Sequence, residues 1–277
     1  MSRLWEDPLY GVVARELYRR CGLVFQGSQA ALFRKRVARR ARELGYPDVA
    51  EYVAALSRNG FGQAEYEHLI DLLTVNETYF FREVEQMDAL LDRLWPGWAG
   101  GHRPIRVWSA ACSIGCEPYT LAILLLERGL VGPGRAPVEI LGTDIKEAVL
   151  RQAREGVYGE FALRATPAPI RQRYFKQEGE RYRLDPRVRS MVSFRRDNLV
   201  GGSMGGVGGT FHVIFCRNVL IYFDMEAKRK VVARLASVLR PGGILFVGRS
   251  ESLFQVPEAP PMVRLDGVTA YQKPLGS

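Results

Sequence analysis

Cysteine and histidine are scarce in this chain: four cysteines (Cys21, Cys112, Cys116, Cys216) and three histidines (His68, His102, His212) in 277 residues. They are scattered rather than grouped at ligand spacings, so no metal site is expected, and a disulfide scaffold is improbable in a chain this long. Cys112 and Cys116 form a C-x-x-x-C with no second pair beside it, a pattern that buried free thiols satisfy. Long apolar runs are also missing. The longest aliphatic stretch, Leu121 to Leu126, is far short of the roughly 20 residues that span a bilayer. The start, MSRLWEDPLY, has no apolar signal-peptide core. The expectation is a soluble, cytoplasmic protein without direct membrane insertion.

What is present is globular: 47% apolar and 25% charged residues. Lys and Arg number 39 against 30 Asp and Glu, a net charge of +9 that favours an acidic partner. The excess is partly local. Arg34, Lys35, Arg36, Arg39, Arg40 and Arg42 fall within nine positions that hold no acid. Residues 1–95 read as an all-helical domain, with apolar positions at helical spacing in LYGVVARELYRR, ALFRKRVARRARELG, VAEYVAALSR and AEYEHLIDLLTV. In the second of these, Phe33, Val37 and Leu44 are expected to face inward, with Arg36, Arg39 and Arg40 on another face. That face is either solvated or a docking surface for an acidic helix, because a run of one sign gains nothing from pairs within the helix.

From Ile105 the pattern changes to short β-rich runs alternating with helices: IRVWSA, PYTLAILLLERGL, VEILGTDI, KEAVLRQAREG. FHVIFCRNVL and ILFVGRSE continue as buried strands around the helix EAKRKVVARLASVL, and VRLDGVTAYQK closes as a hairpin arm. Residues 96–277 are thus predicted to be an α/β domain with a mostly parallel sheet. Period-two alternation between Arg173 and Phe194 places a small antiparallel β insertion at about 172–194. Gly201 to Gly209 is the one low-complexity piece, expected as a flexible loop.

Ligands of such sheets sit at the carboxyl ends of the strands. After IRVWSA comes Ala111-Cys112-Ser113-Ile114-Gly115-Cys116-Glu117-Pro118, which lacks the G-x-G-x-x-G that lets backbone approach a pyrophosphate. Asp144, 27 positions beyond Glu117 at the end of the next strand, suits the two hydroxyls of an adenosine ribose. It also suits the N-cap of a helix beginning at Ile145. Glu117 suits a ligand amine or cationic centre, or simply the positive end of its own helix. A ribose and a cation without a phosphate together suggest S-adenosylmethionine.

More specific signals lie further out: Asn76-Glu77-Thr78-Tyr79-Phe80-Phe81-Arg82, WSAACSIGCEPYTLA at 108–122, Asp197-Asn198-Leu199, and Cys216-Arg217-Asn218-Val219-Leu220-Ile221-Tyr222-Phe223. With Leu239-Arg240-Pro241-Gly242-Gly243 and Ser250-Glu251, these resemble, in order, the signature of the CheR family of chemotaxis-receptor glutamate methyltransferases. The resemblance covers nearly the whole chain. It implies a Rossmann-like class I S-adenosylmethionine-dependent methyltransferase with a small N-terminal helical domain. Its activity would be methyl transfer to glutamate side chains on the cytoplasmic domain of a chemoreceptor, leaving S-adenosylhomocysteine. The implied cofactor contacts are Asn76, Thr78, Arg82, Glu117, Asp144, Asn198, Leu199, Arg217 and Asn218, with Arg82 and Tyr222 nearest the transferred methyl. Arg34, Lys35, Arg36, Arg39 and Arg40 would dock the receptor, and a monomer is the expected state. The β insertion matches a subdomain that in some members binds a receptor tail peptide, though its turn at Gln177 to Glu180 is shorter here than in members like the enteric enzymes.

The chemistry agrees with these residues. A glutamate carboxylate has a pKa of about 4.3, so at neutral pH it is a nucleophile without a general base. Arg82 suits the task of holding it and Tyr222 of donating to it. The alternatives are an ion-pair role for Arg82 and a core-aromatic role for Tyr222; Phe80, Phe81 and Phe223 are expected to be packing residues. A nucleic-acid methyltransferase would place Asn/Asp-Pro-Pro-aromatic where Cys216-Arg217-Asn218-Val219 stands, so no nucleic-acid partner is expected. A non-catalytic adapter that binds S-adenosylmethionine would be expected to lose Arg82 or Tyr222.

Overall fold

The computed structural model describes residues 4–60, 62–74, 77–101, 103–202 and 208–276. The chain divides into two compact units, 1–76 with 221–228 and 77–220 with 229–277. The division at 76/77 puts residues 77–95, which helical periodicity alone groups with the first domain, into the second unit. Packing explains this. Phe80 is fully buried edge-on against Tyr158 and Phe175, and Leu90 and Leu91 belong to the core of the α/β unit.

The first unit contains α1 (Gly11–Cys21), α2 (Ser28–Glu43), α3 (Val49–Asn59) and α4 (Gln63–Leu73). Helix α1 ends on Gly22 in the left-handed conformation, and α3 starts on Asp48, whose side chain accepts from the Glu51 amide. Phe33 and Val37 of α2 are buried as expected, whereas Leu44 is 44% exposed. The correction has a local cause: α2 stops at Glu43, and Leu44 is its C-cap, with its amide donating to the carbonyls of Arg40 and Arg42. The 221–228 segment joins this unit through the Val24 amide, which donates to the Tyr222 carbonyl, and a bridge between Leu23 and Phe223. Phe223 is buried, as are Phe80 and Phe81.

The second unit opens with α5 (Glu85–Arg93) and α6 (Trp95–Ala99). Strands β1 (Ile105–Ala110) and β2 (Val138–Asp144) follow, with α7 (Cys116–Glu127) between them. Next come α8 (Glu147–Glu155), β3 (Val157–Gly159), α9 (Ala168–Tyr174), β4 (Phe175–Glu178), β5 (Arg181–Leu184), α10 (Pro186–Arg189) and β6 (Val192–Arg196). The chain then runs through β7 (Phe211–Cys216), α11 (Met225–Val238), β8 (Leu239–Val247), β9 (Met262–Leu265) and β10 (Val268–Gln272). Helix α11 begins in the 221–228 segment and continues in this unit.

The main sheet has seven strands in the order β6-β2-β1-β7-β8-β10-β9. The first five are parallel, and the β9/β10 hairpin closes the edge antiparallel. Strand β1 is apolar because both its faces are covered: Ile105, Val107, Trp108 and Ala110 are at most 1% exposed. Helix α7 likewise buries residues around most of its circumference. The expected antiparallel insertion is present, but its composition differs. Its three strands are β3, β5 and β4, with the β4/β5 turn at the Glu-Gly-Glu sequence. Residues 192–196 instead extend the main sheet, pairing parallel with β2 from Ile140↔Val192 to Asp144↔Arg196. Alternation could not make that distinction, since an edge strand of a parallel sheet also has one open face. Of the expected flexible loop at 201–209, residues 203–207 lie outside those described.

Candidate functional site

The strand order reverses between β1 and β7, and the crevice at such a switch point lies beyond the carboxyl ends of the strands. Nearly every candidate in this unit stands there: Glu117 after β1, Asp144 at the end of β2, Asn198 and Leu199 after β6, Arg217 and Asn218 after β7.

The β1–α7 turn is built from unusual backbone. Ala111, Ser113 and Gly115 all have positive φ, and a Cβ on Gly115 would lie 3.0 Å from both Phe194 and Ala153. The turn is held by Asp144, whose Oδ2 accepts from the Ser113 amide at 2.9 Å while Oδ1 accepts from the Lys146 amide at 3.0 Å. These bonds delay the next helix to Glu147, with Lys146 as N-cap, instead of the start at Ile145 that the sequence suggests. Asp144 is 7% exposed, and burial raises its pKa against the pull of the Lys146, Ser113 and Ile145 amides.

A second cluster surrounds Arg217, whose side chain is 2% exposed. Its guanidinium lies 3.3 Å from Glu83, 3.4 Å from Glu117, and donates to the Arg82 carbonyl at 2.6 Å. Glu117 also accepts from the Ser109 hydroxyl at 2.5 Å. Desolvation nevertheless raises its pKa, with Arg217 and Ser109 opposing. Glu83 extends the network to the Asn218 side chain at 3.4 Å and the Arg249 amide at 3.0 Å. Glu251 completes it, accepting from the amides of Asn218 and Gly248 at 2.7 Å each. A side chain at Gly248 has no room, since a Cβ would lie 2.5 Å from the Asn218 side-chain nitrogen and 2.9 Å from its backbone nitrogen. A cavity of about 480 Å³ adjoins the cluster, lined among others by Glu83, Gln86, Gly248, Glu251 and Tyr271.

Arg82 occupies a turn between Phe81 and Glu83, both with positive φ, a conformation that costs non-glycine residues energy unless their surroundings enforce it. Its Nη1 donates to the Glu77 carbonyl at 2.6 Å, and its Nε lies 4.0 Å from Glu83. Thr78 approaches the Cys116 thiol, which burial holds protonated. All four cysteines are buried and free.

The structure therefore brings Arg82, Glu117, Arg217 and Asn218 into one network and sets Asp144 under the β1–α7 turn. Asn198 accepts from the Val200 amide with its side chain, and Leu199 is buried. Tyr222 belongs to the 221–228 segment that packs with the first unit, and Asn76 lies outside the described residues. Glu83 and Ser109 escaped sequence reasoning, as did the role of Glu251. Arg234, buried among the apolar positions of α11, holds both oxygens of Asp197 at 2.8–2.9 Å and the Asn198 carbonyl at 2.8 Å. A lone arginine within the apolar stripe Val231, Val232, Leu235 was the available signal for it.

In the first unit the basic helix is less free than its sequence suggests. Arg34 pairs with Asp7 at 2.9 Å, Arg39 with Glu43 at 3.2 Å, and Arg40 with Glu65 at 2.6 Å, where Glu65 also accepts from the Tyr52 hydroxyl. The acids absent from the run come from Glu43 one turn on and from distant segments. Lys35 and Arg39 stay exposed, while Arg36 is half-buried.

A parallel sheet of this order, with buried carboxylates past β1 and β2 in place of a glycine-rich phosphate loop, defines a class I S-adenosylmethionine-dependent methyltransferase. The residues fit that cofactor. Two buried carboxylates whose ionised forms are penalised favour a ligand bearing hydroxyls and a positive charge. Among the described residues the Ser113 hydroxyl and Arg217 Nε are buried with no hydrogen-bond partner and have capacity to offer a polar ligand. The chain belongs to the CheR methyltransferase family. Residues 76–268 match the family's S-adenosylmethionine-binding domain and residues 10–74 its all-alpha domain. A chemotaxis protein methyltransferase of Vibrio parahaemolyticus is 36% identical over 96% of this chain and 97% of its own length. Chemotaxis protein methyltransferase 2 of Pseudomonas aeruginosa is 38% identical, over 94% and 90%, and the Salmonella typhimurium chemotaxis protein methyltransferase 35%, over 89% and 84%. The chain is thus a chemotaxis methyltransferase with S-adenosylmethionine as its cofactor. Among the described residues no helix is long and apolar enough to cross a membrane.

Proposed function

We propose that this chain forms methyl esters on glutamate side chains of the cytoplasmic helices of a chemoreceptor. The observation that carries this reading is Arg82, a guanidinium fixed in a strained turn whose own carbonyl is bonded to Arg217 of the buried Glu83–Arg217–Glu117 cluster. An arginine so placed recognises a carboxylate, and a glutamate carboxylate is already ionised at neutral pH. When bound, S-adenosylmethionine supplies an electrophilic methyl. The protein's task is then orientation and removal of water, not proton transfer.

In this reading Asp144 accepts from the ribose hydroxyls, Glu117 faces the cationic part of the ligand and Arg217 its carboxylate. Thr78, Asn198, Leu199 and Asn218 complete the pocket; the roles of Asn76 toward the cofactor and of Tyr222 toward the acceptor carboxylate rest on the family resemblance alone. The exposed Lys35 and Arg39 of α2, with Arg36, present positive charge to an acidic receptor helix, while Arg34 and Arg40 act mainly within the unit. Esterification removes one negative charge per glutamate and so changes repulsion within the receptor bundle.

The test is incubation with methyl-labelled S-adenosylmethionine and receptor cytoplasmic fragments. The expected result is receptor-bound label released as methanol by mild base. Base-stable label, or label on another residue type, would overturn the glutamate assignment.

A further inference from the structure

Beside the cofactor cluster stands a three-layer stack that the reaction as described does not use. The Arg164 guanidinium lies 3.6 Å from the centre of the Tyr79 ring and 3.7 Å from that of Phe161, a cation held between two aromatic faces. It donates to the Phe161 carbonyl at 2.8 Å and pairs with Glu77 at 2.9 Å. Glu77 is the residue whose carbonyl takes the Nη1 of Arg82 at 2.6 Å. A backbone bond from the Phe80 amide to the Ala162 carbonyl, 2.9 Å, ties the same two segments together.

We propose that Arg164 is a positioning residue that fixes the guanidinium of Arg82 for the acceptor carboxylate; this rests on the reading of Arg82 given above. The turn at 81–83 has two non-glycine residues at positive φ and does not hold itself. Its far side is fixed by the bond from the Phe81 amide to the Thr120 hydroxyl and by Glu83 on Arg217. Its near side, where Arg82 is anchored, depends on the Glu77 carbonyl. Glu77 is 60% exposed at its side chain, and an exposed ion pair alone would orient it weakly. Arg164 adds what the pair lacks. Its planar fork, stacked on both faces, has one orientation, and the neighbouring Tyr79 ring, itself 5.7 Å from the Arg82 guanidinium, is packed in place by it. A lysine would keep the charge toward Glu77 but lose the plane.

The experiment compares Arg164→Met, Arg164→Lys, Phe161→Ala and Arg82→Lys in the full chain. It measures kcat and KM for a receptor fragment, the Kd for S-adenosylhomocysteine by calorimetry, and the melting temperature. Arg164→Met is expected to lower kcat/KM for the receptor 10- to 100-fold with Kd for S-adenosylhomocysteine within twofold of the parent. Arg164→Lys should recover part of that loss. Phe161→Ala, at a 65% exposed position, should lower kcat/KM several-fold without unfolding the protein. In the Arg82→Lys background, Arg164→Met should add little, because the group it positions is already changed. A loss in Arg82→Lys with none in Arg164→Met or Phe161→Ala overturns the positioning role. Equal falls in rate, S-adenosylhomocysteine affinity and melting temperature would make Arg164 structural. No loss in Arg82→Lys would overturn the parent reading and this one with it.

Discussion

Replacing Asp144 by alanine tests the cofactor assignment where the structure is most specific. The carboxylate is 7% exposed and already accepts from the Ser113 and Lys146 amides. It has about four acceptor positions, so capacity for a ribose hydroxyl remains. A hydrogen bond to a charged acceptor contributes about 1.5–3 kcal/mol, which is roughly 10- to 150-fold in Kd for each hydroxyl bound. A simple loss of affinity would be ambiguous. Asp144→Ala also strands the two amides at a cost of about 1–3 kcal/mol each and loosens the β1–α7 turn. Ligand variation resolves this. Calorimetry with S-adenosylhomocysteine and its 2′- and 3′-deoxy analogues should show the parent protein discriminating against at least one analogue by 10-fold or more. Asp144→Ala should bind all three alike, a coupling of about 1.5–3 kcal/mol between side chain and hydroxyl. Undiminished discrimination in the variant would mean that another group reads the ribose.

Two further expectations concern other parts of the molecule. Lys35→Glu combined with Arg39→Glu should slow receptor methylation about 10-fold at low salt, with the effect shrinking as ionic strength rises and S-adenosylhomocysteine binding unchanged. Arg40→Ala should instead destabilise the helical unit by about 1–3 kcal/mol, because Glu65 loses its cation and keeps only the Tyr52 hydroxyl; charge reversal without a rate effect would refute the docking role. His212 accepts from the Arg106 amide at 3.1 Å, and burial, with Arg240 and Arg106, lowers its pKa from 6.5 to about 4. The unfolded chain therefore binds this proton between pH 6.5 and 4 while the folded one does not, so the neutral ring stabilises the fold above pH 6.5 and that stability is lost as pH falls toward 4. His212→Gln should flatten the fall in melting temperature between pH 6.5 and 5, and an unchanged slope would refute the assignment.

Where a signal is local in the chain, its place in the fold is legible from sequence. Asp144 follows directly from a strand ending in Thr-Asp, and the basic run in α2 is visible as a string of letters. What the letters omit is the partner. Arg40 reads as free because Glu65 is 25 positions away on α4, and Glu83 reads as one more surface acid although it joins Arg217, Asn218 and Arg249. The same limit explains residues 192–196: their alternation is compatible with a hairpin arm, and only the register with β2 makes them the edge of the main sheet.

Partners at long sequence distance also bear on how the site is organised. The acid–base pairs around Arg217 come from the ends of α7 and β7 and from the turn before α5, so none of these elements forms the cluster alone. Each buried ion in it is costly unless the others are in place, since breaking one partner of such a group typically costs about 3–5 kcal/mol. The cluster therefore makes the position of residues 77–83 depend on completion of the sheet's carboxyl edge. Arg82, carried on that segment, is held in place only when α7 and the turns after β7 and β8 have supplied Glu117, Arg217 and Glu251. A strained turn with two positive φ values is stable there because the fold around it is finished, and in the proposed reading this couples the arginine assigned to the acceptor to the cluster assigned to the cofactor.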